Sequence, residues 1–314
     1  MTANHEPART RGPEQNRGPA QMNLSVIVLT WNEEQNLPRC LESIAGLGCP
    51  IFVVDSGSTD ATLDIARQHG ARCFHHPFHT HTDQWSWALD HLPLETDWVF
   101  GLDADQSLTA ELADELNATF ASPVAADVDG FYVTRRQIFR GRWIRHGGYY
   151  PKRLLKIFRR QKVLFDRADL VDHHFYVPGR ISLLRHDLIE DNRKEDDIVF
   201  WIQKHTRYAA LIAAEERLRR DGTAVAPIRA ALLGNSDQRS LAMKAWWRNL
   251  PLFVRPALYF TYRYFGRCGW MDGKQGFLFH FLHAFWFRIV IDAKLDEMAA
   301  LDNNSVSKKA AVNN

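Results

Sequence analysis

Short apolar runs alternating with helix-periodic stretches organise the first 120 residues. Residues 25–30, 51–54 and 98–102 are continuous and rich in β-branched or aromatic side chains, among them Val26, Ile27, Val28, Phe52, Val53, Val54, Val99 and Phe100. Runs of that length and type suit strands covered on both faces. A shorter strand is expected around 72–74. Between these runs, Leu37, Leu41 and Ile44 recur at helical spacing behind Asn36, a candidate cap, and Pro38. Leu63 and Ala66 follow Thr59 and Asp60, either of which can cap a second helix. A third helix is expected near 83–91, and Leu112, Leu116 and Phe120 share a face behind Thr109. The order β-α-β-α-β-α-β-α predicts an α/β fold with a doubly wound, mostly parallel sheet.

The pattern changes near residue 129. Strands are expected at 130–134 and 154–158, joined by a loop carrying Gly141, Gly147, Gly148 and Pro151, and a helix from about 195 to 219. The stretch 244–297 is crowded with aromatics. Residues 1–22 and 301–314 are polar and expected to be unstructured tails, the first without the apolar core of a secretory signal. The remainder divides into 23–125, 126–235 and an aromatic-rich, amphipathic helical segment at 236–300. The formal charge of +2 selects no partner. Cys40, Cys49, Cys73 and Cys268 lie far apart without ligand-like spacing and are expected to be reduced thiols.

Three of the strands run into acids: 25–30 into Glu33 and Glu34, 51–54 into Asp55 and Asp60, 98–102 into Asp103 and Asp105. Ligands of open parallel sheets sit beyond the carboxyl ends of the strands, so these carboxylates should converge on one cleft. Such a cleft suits a cation and the polar groups of a nucleotide sugar. Asp103 and Asp105, one residue apart at a strand end, supply the hard oxygen ligands that Mg²⁺ or Mn²⁺ shares with substrate phosphates. Asp55 ends a buried strand, where an unpartnered carboxylate is costly. A nucleobase imide or a ribose hydroxyl would give it a partner.

Thr30-Trp31-Asn32-Glu33-Glu34, Val54-Asp55-Ser56-Gly57-Ser58-Thr59-Asp60 and Leu102-Asp103-Ala104-Asp105, in this order and spacing, resemble the family 2 glycosyltransferases, above all those of lipopolysaccharide-core and exopolysaccharide assembly. The similarity extends to Glu190-Asp191-Asn192-Arg193-Lys194 and to 259–274. It implies a GT-A fold, a nucleotide-diphosphate sugar donor, a divalent metal (Mg²⁺ or Mn²⁺) and inversion at the anomeric centre. By the same resemblance Asp55 meets the base, Asp103 the ribose or sugar and, with Asp105, the metal. Thr30, Asn32 and Glu33 line the nucleotide end, and Gln84 lies in a segment covering the donor sugar. Many relatives carry a second Asp where this chain has Ser56, which leaves uracil and guanine open, with UDP the leading donor. Inverting transfer needs a base for the acceptor hydroxyl. The candidates are Asp172, His173 and His174, then Glu190 and Asp191, with Asp172 first.

Three further features bear on partners. Eleven Lys and Arg residues crowd 130–165 with no acid among them, a belt suited to the donor diphosphate, an anionic acceptor or acidic lipid. No nucleic-acid motif accompanies it, and nucleic acid is not expected as a partner. His75, His76, His79 and His81 have no acid or Cys at ligand spacing and are read as a loop feature rather than a zinc site. Within 244–294, Trp246, Trp247, Tyr259, Phe260, Tyr262, Tyr264 and Phe265 alternate with Arg248, Arg255, Arg263 and Arg267, as in segments lying in a bilayer interface or packed as a hairpin on the core. The expected enzyme is cytoplasmic and peripheral on the inner face of the cell membrane, transferring sugar to a saccharide or lipid-linked acceptor. A nucleotidyltransferase and a non-catalytic membrane-bound scaffold are the alternatives. The first lacks a Gly-rich phosphate loop after its opening strand.

Overall fold

The computed structural model describes residues 22–122, 127–171 and 174–312, the last ten of these by backbone alone. Strands β1 (Leu24–Thr30), β2 (Ile51–Asp55), β3 (Arg72–His75) and β4 (Trp98–Asp103) lie in the order β3-β2-β1-β4, every pair parallel. Alternation along them feeds two cores. Val26, Val28, Val53, Phe100 and Leu102 pack beneath helices α1 (Leu37–Ile44), α2 (Thr62–Gln68) and α4 (Ala110–Phe120). Ile27, Phe52, Val54 and Val99 face α3 (His81–His91) through Trp85 and Ala88. Helices on both faces make this half doubly wound, as the sequence pattern predicts. The chain runs outward from β1 to β3 and returns as β4 on the other side of β1, so the topological switch point lies at the ends of β1 and β4.

Beyond β4 the sheet is mixed and curled. Strand β8 (Lys152–Arg159) lies antiparallel between β4 and β6 (Gly130–Phe139), β6 carries the short β7 (Arg142–Trp143), and β11 (Ile181–Glu190) runs parallel to β6. The edge strand β5 (Gln106–Leu108) pairs antiparallel with β11. Only Ala104 and Asp105 separate β4 from β5, a reach of at most about 11 Å, yet β8, β6 and β11 stand between them in the sheet. The sheet must therefore curl until the end of β11 meets the end of β4. That closure carries Glu190 to Asp105. A small two-stranded sheet, β9 (Leu164–Phe165) with β10 (Phe175–Tyr176), lies outside this path.

Gly101 lets β4 pass between two buried rings. A Cβ there would come within 2.8 Å of Phe175 and 2.9 Å of Trp85, and neither ring has room to retreat. Gly101→Ala is expected to cost about 1–3 kcal/mol by overpacking, read as a lower urea midpoint with an unchanged m-value.

The third core joins α5 (Ile198–Arg220) to the C-terminal helices α7 (Arg255–Thr261), α8 (Gly273–His280) and α9 (Phe287–Val312). Trp201, Ala209 and Ala213 pack against Phe279, Leu282, Phe287, Ile291 and Leu295. π-helical turns at Tyr262–Gly266 and Phe281–Trp286 re-aim the side chains between these helices. Three sequence expectations need correction. Asn36 stands at the N-cap of α1, but its buried side chain makes no cap hydrogen bond and instead cross-links Glu33 and Asn192. The strand expected at 130–134 continues to Phe139. Helix α9 continues to Val312 through the presumed tail, because extending a formed helix costs far less than starting one. The expected N-terminal tail lies, but for Met22, outside the described residues.

Candidate active site

At the nucleotide end the ends of β1 and β2 are tied by one carboxylate. Thr30 lies opposite Asp55 in register and donates its hydroxyl to Asp55 at 2.9 Å. Asp55 accepts four hydrogen bonds, from Thr30 Oγ1, the amides of Gly57 and Ser58, and Ser58 Oγ. It is 1% exposed. The partner expected from a ligand is thus supplied by the loop that follows the strand. Gly57, at φ 96°, permits the turn that aims these amides inward. Asn32 sits across from the loop in the left-handed region at φ 51°, which Asn tolerates. Its amide donates to Ser58 Oγ at 2.8 Å and its Oδ1 accepts from the Thr59 amide at 2.8 Å. Gln84 of α3 donates to Ser56 Oγ and to the His76 carbonyl, and its Oε1 is buried without a hydrogen-bond partner. Thr30, Asn32, Asp55, Ser56 and Gln84 therefore form one connected wall.

The acidic end begins one strand away. Asp103 is in register with Leu29, two strands and about 10 Å from Asp55, on the same sheet edge. Its carboxylate meets the buried Lys156 ammonium at 2.9 Å. Asp105 is different. No described residue donates a hydrogen bond to its carboxyl, while burial, then Glu190, Asp103 and Glu33, push it well above the ordinary carboxylate range. Glu190 accepts from Gln106 at 2.8 Å and from Arg135 at 2.9 Å. Glu33 accepts from Asn36 and pairs with Lys194. A crowded carboxyl without a donor, in a field of other acids, has the chemistry of a hard-cation ligand. Among the described residues no three His, Cys, Asp or Glu side chains could hold a metal by themselves. Asp103 and Asp105 do fit a hard cation that takes one or two carboxylates and completes its shell with substrate phosphate and water.

Sequence comparison decides the family. Residues 25–190, just over half of the chain, match the model of glycosyl transferase family 2. The chain belongs to this family. An uncharacterized glycosyltransferase of Rickettsia typhi is 36% identical over 99 residues, 32% of this chain and 33% of that protein. The lipopolysaccharide core biosynthesis glycosyltransferase LpsC of Rhizobium meliloti is 26% identical over 271 residues, 82% of this chain and 86% of its own length. The chain thus spans about a third of the length of the Rickettsia relative and most of that of LpsC. Among solved structures, residues 1–349 of S. aureus TarS share 14% identity at a TM-score of 0.41, over 90% of this chain and 92% of that one. Glucosyl-3-phosphoglycerate synthase of Mycobacterium tuberculosis, solved with Mn²⁺ and UDP-glucose, shares 23% identity at a TM-score of 0.30, over 36% and 43%.

Within this family 2 glycosyltransferase the candidate bases fall into two groups. Asp172 and His173 lie outside the described residues; His174 Nδ1 sits 3.2 Å from Asp169. Asp191 lies beside the acidic end, its amide donating to the Asp105 carbonyl at 3.0 Å. Its carboxylate, however, is claimed by Arg39 at 2.7 Å and Arg193 at 3.1 Å. Two guanidiniums occupy its Oδ2, so Asp191 reads as a clamp fastening α1 to the loop after β11 and not as a base. Lys194 and Asn192 complete that clamp on Glu33, Asn32 and Asn36. Lys204 escaped sequence reading, and Lys156 figures there only as one cation of the 130–165 belt. Lys204 reaches Asp105 electrostatically from α5, and Glu195 holds it 2.7 Å away; only the folded sheet brings either lysine to the acids.

Much of the cationic belt is consumed inside the fold. Arg135 pairs with Glu190, Arg136 with Asp187, Lys156 with Asp103, and Arg159 and Lys162 with Asp129. Arg140, Arg142, Arg145 and Arg153 remain exposed. The C-terminal helices divide similarly. Arg255 is fully buried between Glu216 and Asp292, and Arg263 donates to the Gly147 carbonyl, so two of the four arginines expected at a bilayer face inward. The stretch Gly269–Asp302 is long and apolar enough to cross a membrane, with mean hydropathy 1.3, but 44% of its most apolar window is buried. Its Asp292 pairs with Arg255 of α7, which in turn pairs with Glu216 of α5.

Proposed function

We propose that the chain transfers a sugar from a nucleotide-diphosphate donor, UDP-linked first, to a saccharide or lipid-linked acceptor in cell-surface polysaccharide assembly, with inversion at the anomeric carbon. The observation that carries this reading is the donor-less Asp105 carboxyl beside Asp103 at the switch point. The wall from Thr30 to Gln84 would hold the nucleoside, with Asn32 and Ser56 offering polar groups to base and ribose. Asp103 and Asp105 would hold Mg²⁺ or Mn²⁺, which when bound neutralises charge on the departing diphosphate. The relatives support the substrate classes: LpsC is named for lipopolysaccharide core biosynthesis, and TarS has been solved with UDP-GlcNAc. In the transfer the base takes the acceptor hydroxyl proton, the oxygen bonds to the anomeric carbon, and the carbon–oxygen bond to the diphosphate breaks. The proposed base is Asp172.

Two variants separate base from clamp. Asp172→Asn is expected to lower kcat by about 10²–10⁴-fold, with KM for the donor little changed. Asp191→Asn keeps an acceptor for Arg39 and is expected to cost less than about tenfold. Equal losses, or a larger loss at Asp191, would reverse the assignment.

The same reading places the enzyme on a membrane surface. Leu258, Tyr262, Phe265, Trp270, Met271, Phe277 and Phe281 are all exposed, and ring contacts link Tyr264 to Phe265 and Phe277, and Phe277 to Phe281. From Arg255 to Ile291 the sole acid is Asp272, which is buried against His146, whereas Arg267 and Lys274 are exposed. An aromatic face without exposed negative charge suits an anionic bilayer interface. Flotation with anionic vesicles of phosphatidylcholine and phosphatidylglycerol should carry the chain. Phe265→Ser with Phe277→Ser should leave it at the bottom of the gradient, and flotation unaffected by that pair would remove the membrane assignment.

A further inference from the structure

Beyond β6, on the far side of the Glu190–Arg135 pair from Asp105, positive groups gather around Tyr149 with few acids to balance them. The Arg263 guanidinium lies over the Tyr149 ring at 4.5 Å and over Tyr259 at 4.8 Å. The Arg288 guanidinium lies 5.8 Å from the Tyr259 ring. His283 stands 6.4 Å from Tyr149, centroid to centroid, and 5.1 Å from His205. His280 stands 5.8 Å from Tyr149. Arg135 and Arg288 both reach Tyr149 and His283 electrostatically. The carboxylates nearest this group are already engaged, Glu190 by Arg135 and Asp272 by His146.

The cluster also has unused donors. The Nε atoms of Arg135, Arg263 and Arg288 and both ring nitrogens of the fully buried His280 have no hydrogen-bond partner among the described residues. Cation–π contact occupies the face of a guanidinium and leaves its N–H edge available. Partly buried cations with idle N–H groups are costly unless an anion completes them. Burial, then His205, Arg288, Arg135 and His280, hold His283 well below the ordinary imidazole range. Tyr149, Arg263, His283 and Arg288 are partly exposed, and while the idle Nε atoms lie beneath the surface, the Nη groups of Arg288 are neither buried nor hydrogen-bonded among the described residues. Exposed Arg142 on β7 and Arg145 in the loop after it would steer an anion inward.

We infer that the cleft formed by Arg135, Tyr149, Arg263, His283 and Arg288 binds an anionic group of the acceptor, a phosphate monoester or a sugar carboxylate, and so presents the acceptor hydroxyl to the donor at Asp105. Arg288 grips the anion through its Nη groups, Arg263 adds its charge while its own Nη atoms stay on the Gly147 carbonyl and the Tyr259 hydroxyl, and the Tyr149 ring stacks on the attached sugar. This rests on the glycosyl-transfer reading, because an acceptor is what such a cleft beside the acidic end would serve. It restricts that reading to acidic acceptors.

The test uses the full chain and three probes in ligand-observed NMR: glucose 6-phosphate, glucuronate and glucose. At least one charged probe is expected to bind ten or more times tighter than glucose, and the stronger of the two identifies the anion class. Arg288→Gln, which removes a side chain making no hydrogen bond to a described residue, should erase at least tenfold of that preference while leaving Mn²⁺-dependent UDP affinity within twofold. Arg263→Gln should act in the same direction; if it unfolds the chain, Arg288→Gln decides alone. Equal affinity for all three probes, no binding of any, or a charge preference that survives Arg288→Gln would overturn the inference. UDP titration of the same samples reads the donor site separately, so a chain that selects charged sugars but ignores UDP would sink the transferase reading and leave the anion cleft standing.

Discussion

Replacing Asp105 with Asn is expected to abolish sugar transfer while making the metal-free chain more stable. In the folded chain this carboxyl is pushed up by burial, then by Glu190, Asp103 and Glu33, and no described residue donates to it. Above the ordinary carboxylate range that upward displacement is a standing cost. A carboxyl whose folded pKa lies above its unfolded one binds its proton more tightly in the native state. Stability from this group is therefore recovered as pH falls through the folded value, and lost again as pH rises through it. Asn removes the charge and should raise stability at pH 7–8 by about 1 kcal/mol, about 2–4 °C in Tm. It should also flatten that part of the pH dependence. Because the same oxygen is the proposed cation ligand, turnover should fall by at least ~100-fold, the scale of losing one preorganised electrostatic contact. A variant that is less stable than wild type and still active would mean that Asp105 is a structural residue.

The largest stability loss is expected at the other end of the molecule. Arg255 is fully buried and makes hydrogen bonds to both Glu216 and Asp292, which join α7 to α5 and α9. Arg255→Ala leaves buried Asp292 without its cation and Glu216 with Arg220 alone, and should cost about 3–5 kcal/mol, measured by urea denaturation at pH 7. Replacing all three together, Arg255→Met with Glu216→Gln and Asp292→Asn, should restore most of it, since no buried charge is then left unpaired. If the single variant loses less than about 1 kcal/mol, the C-terminal helices are not held by this triad.

The doubly wound half was legible because its strands are buried on both faces. Nothing but a continuous apolar run serves there, and the acid that ends each run marks the sheet edge. Strand β11 was not legible. Its burial is irregular, a register shift falls between Leu183 and Asp187, and Arg185 and His186 interrupt its apolar pattern. The cationic belt misled for a related reason: Arg135 and its partner Glu190 are 55 residues apart, and only the pairing of β6 with β11 joins them. Asp55 was expected to need a ligand as partner, whereas Thr30, Gly57 and Ser58 satisfy it locally; a strand-to-turn motif carries the residues but not their hydrogen-bond directions. Asp103 and Asp105, read from one dipeptide spacing, do meet at the switch point, and Glu190 joins them there.

Mn²⁺ and UDP titrated together, by calorimetry, bear most directly on the claim that these acids gather to hold a cation and a sugar nucleotide. Wild type should bind UDP at least tenfold tighter with Mn²⁺ than with EDTA, and Asp105→Asn should lose that enhancement. UDP affinity indifferent to the metal, or an enhancement that persists in Asp105→Asn, would contradict the account.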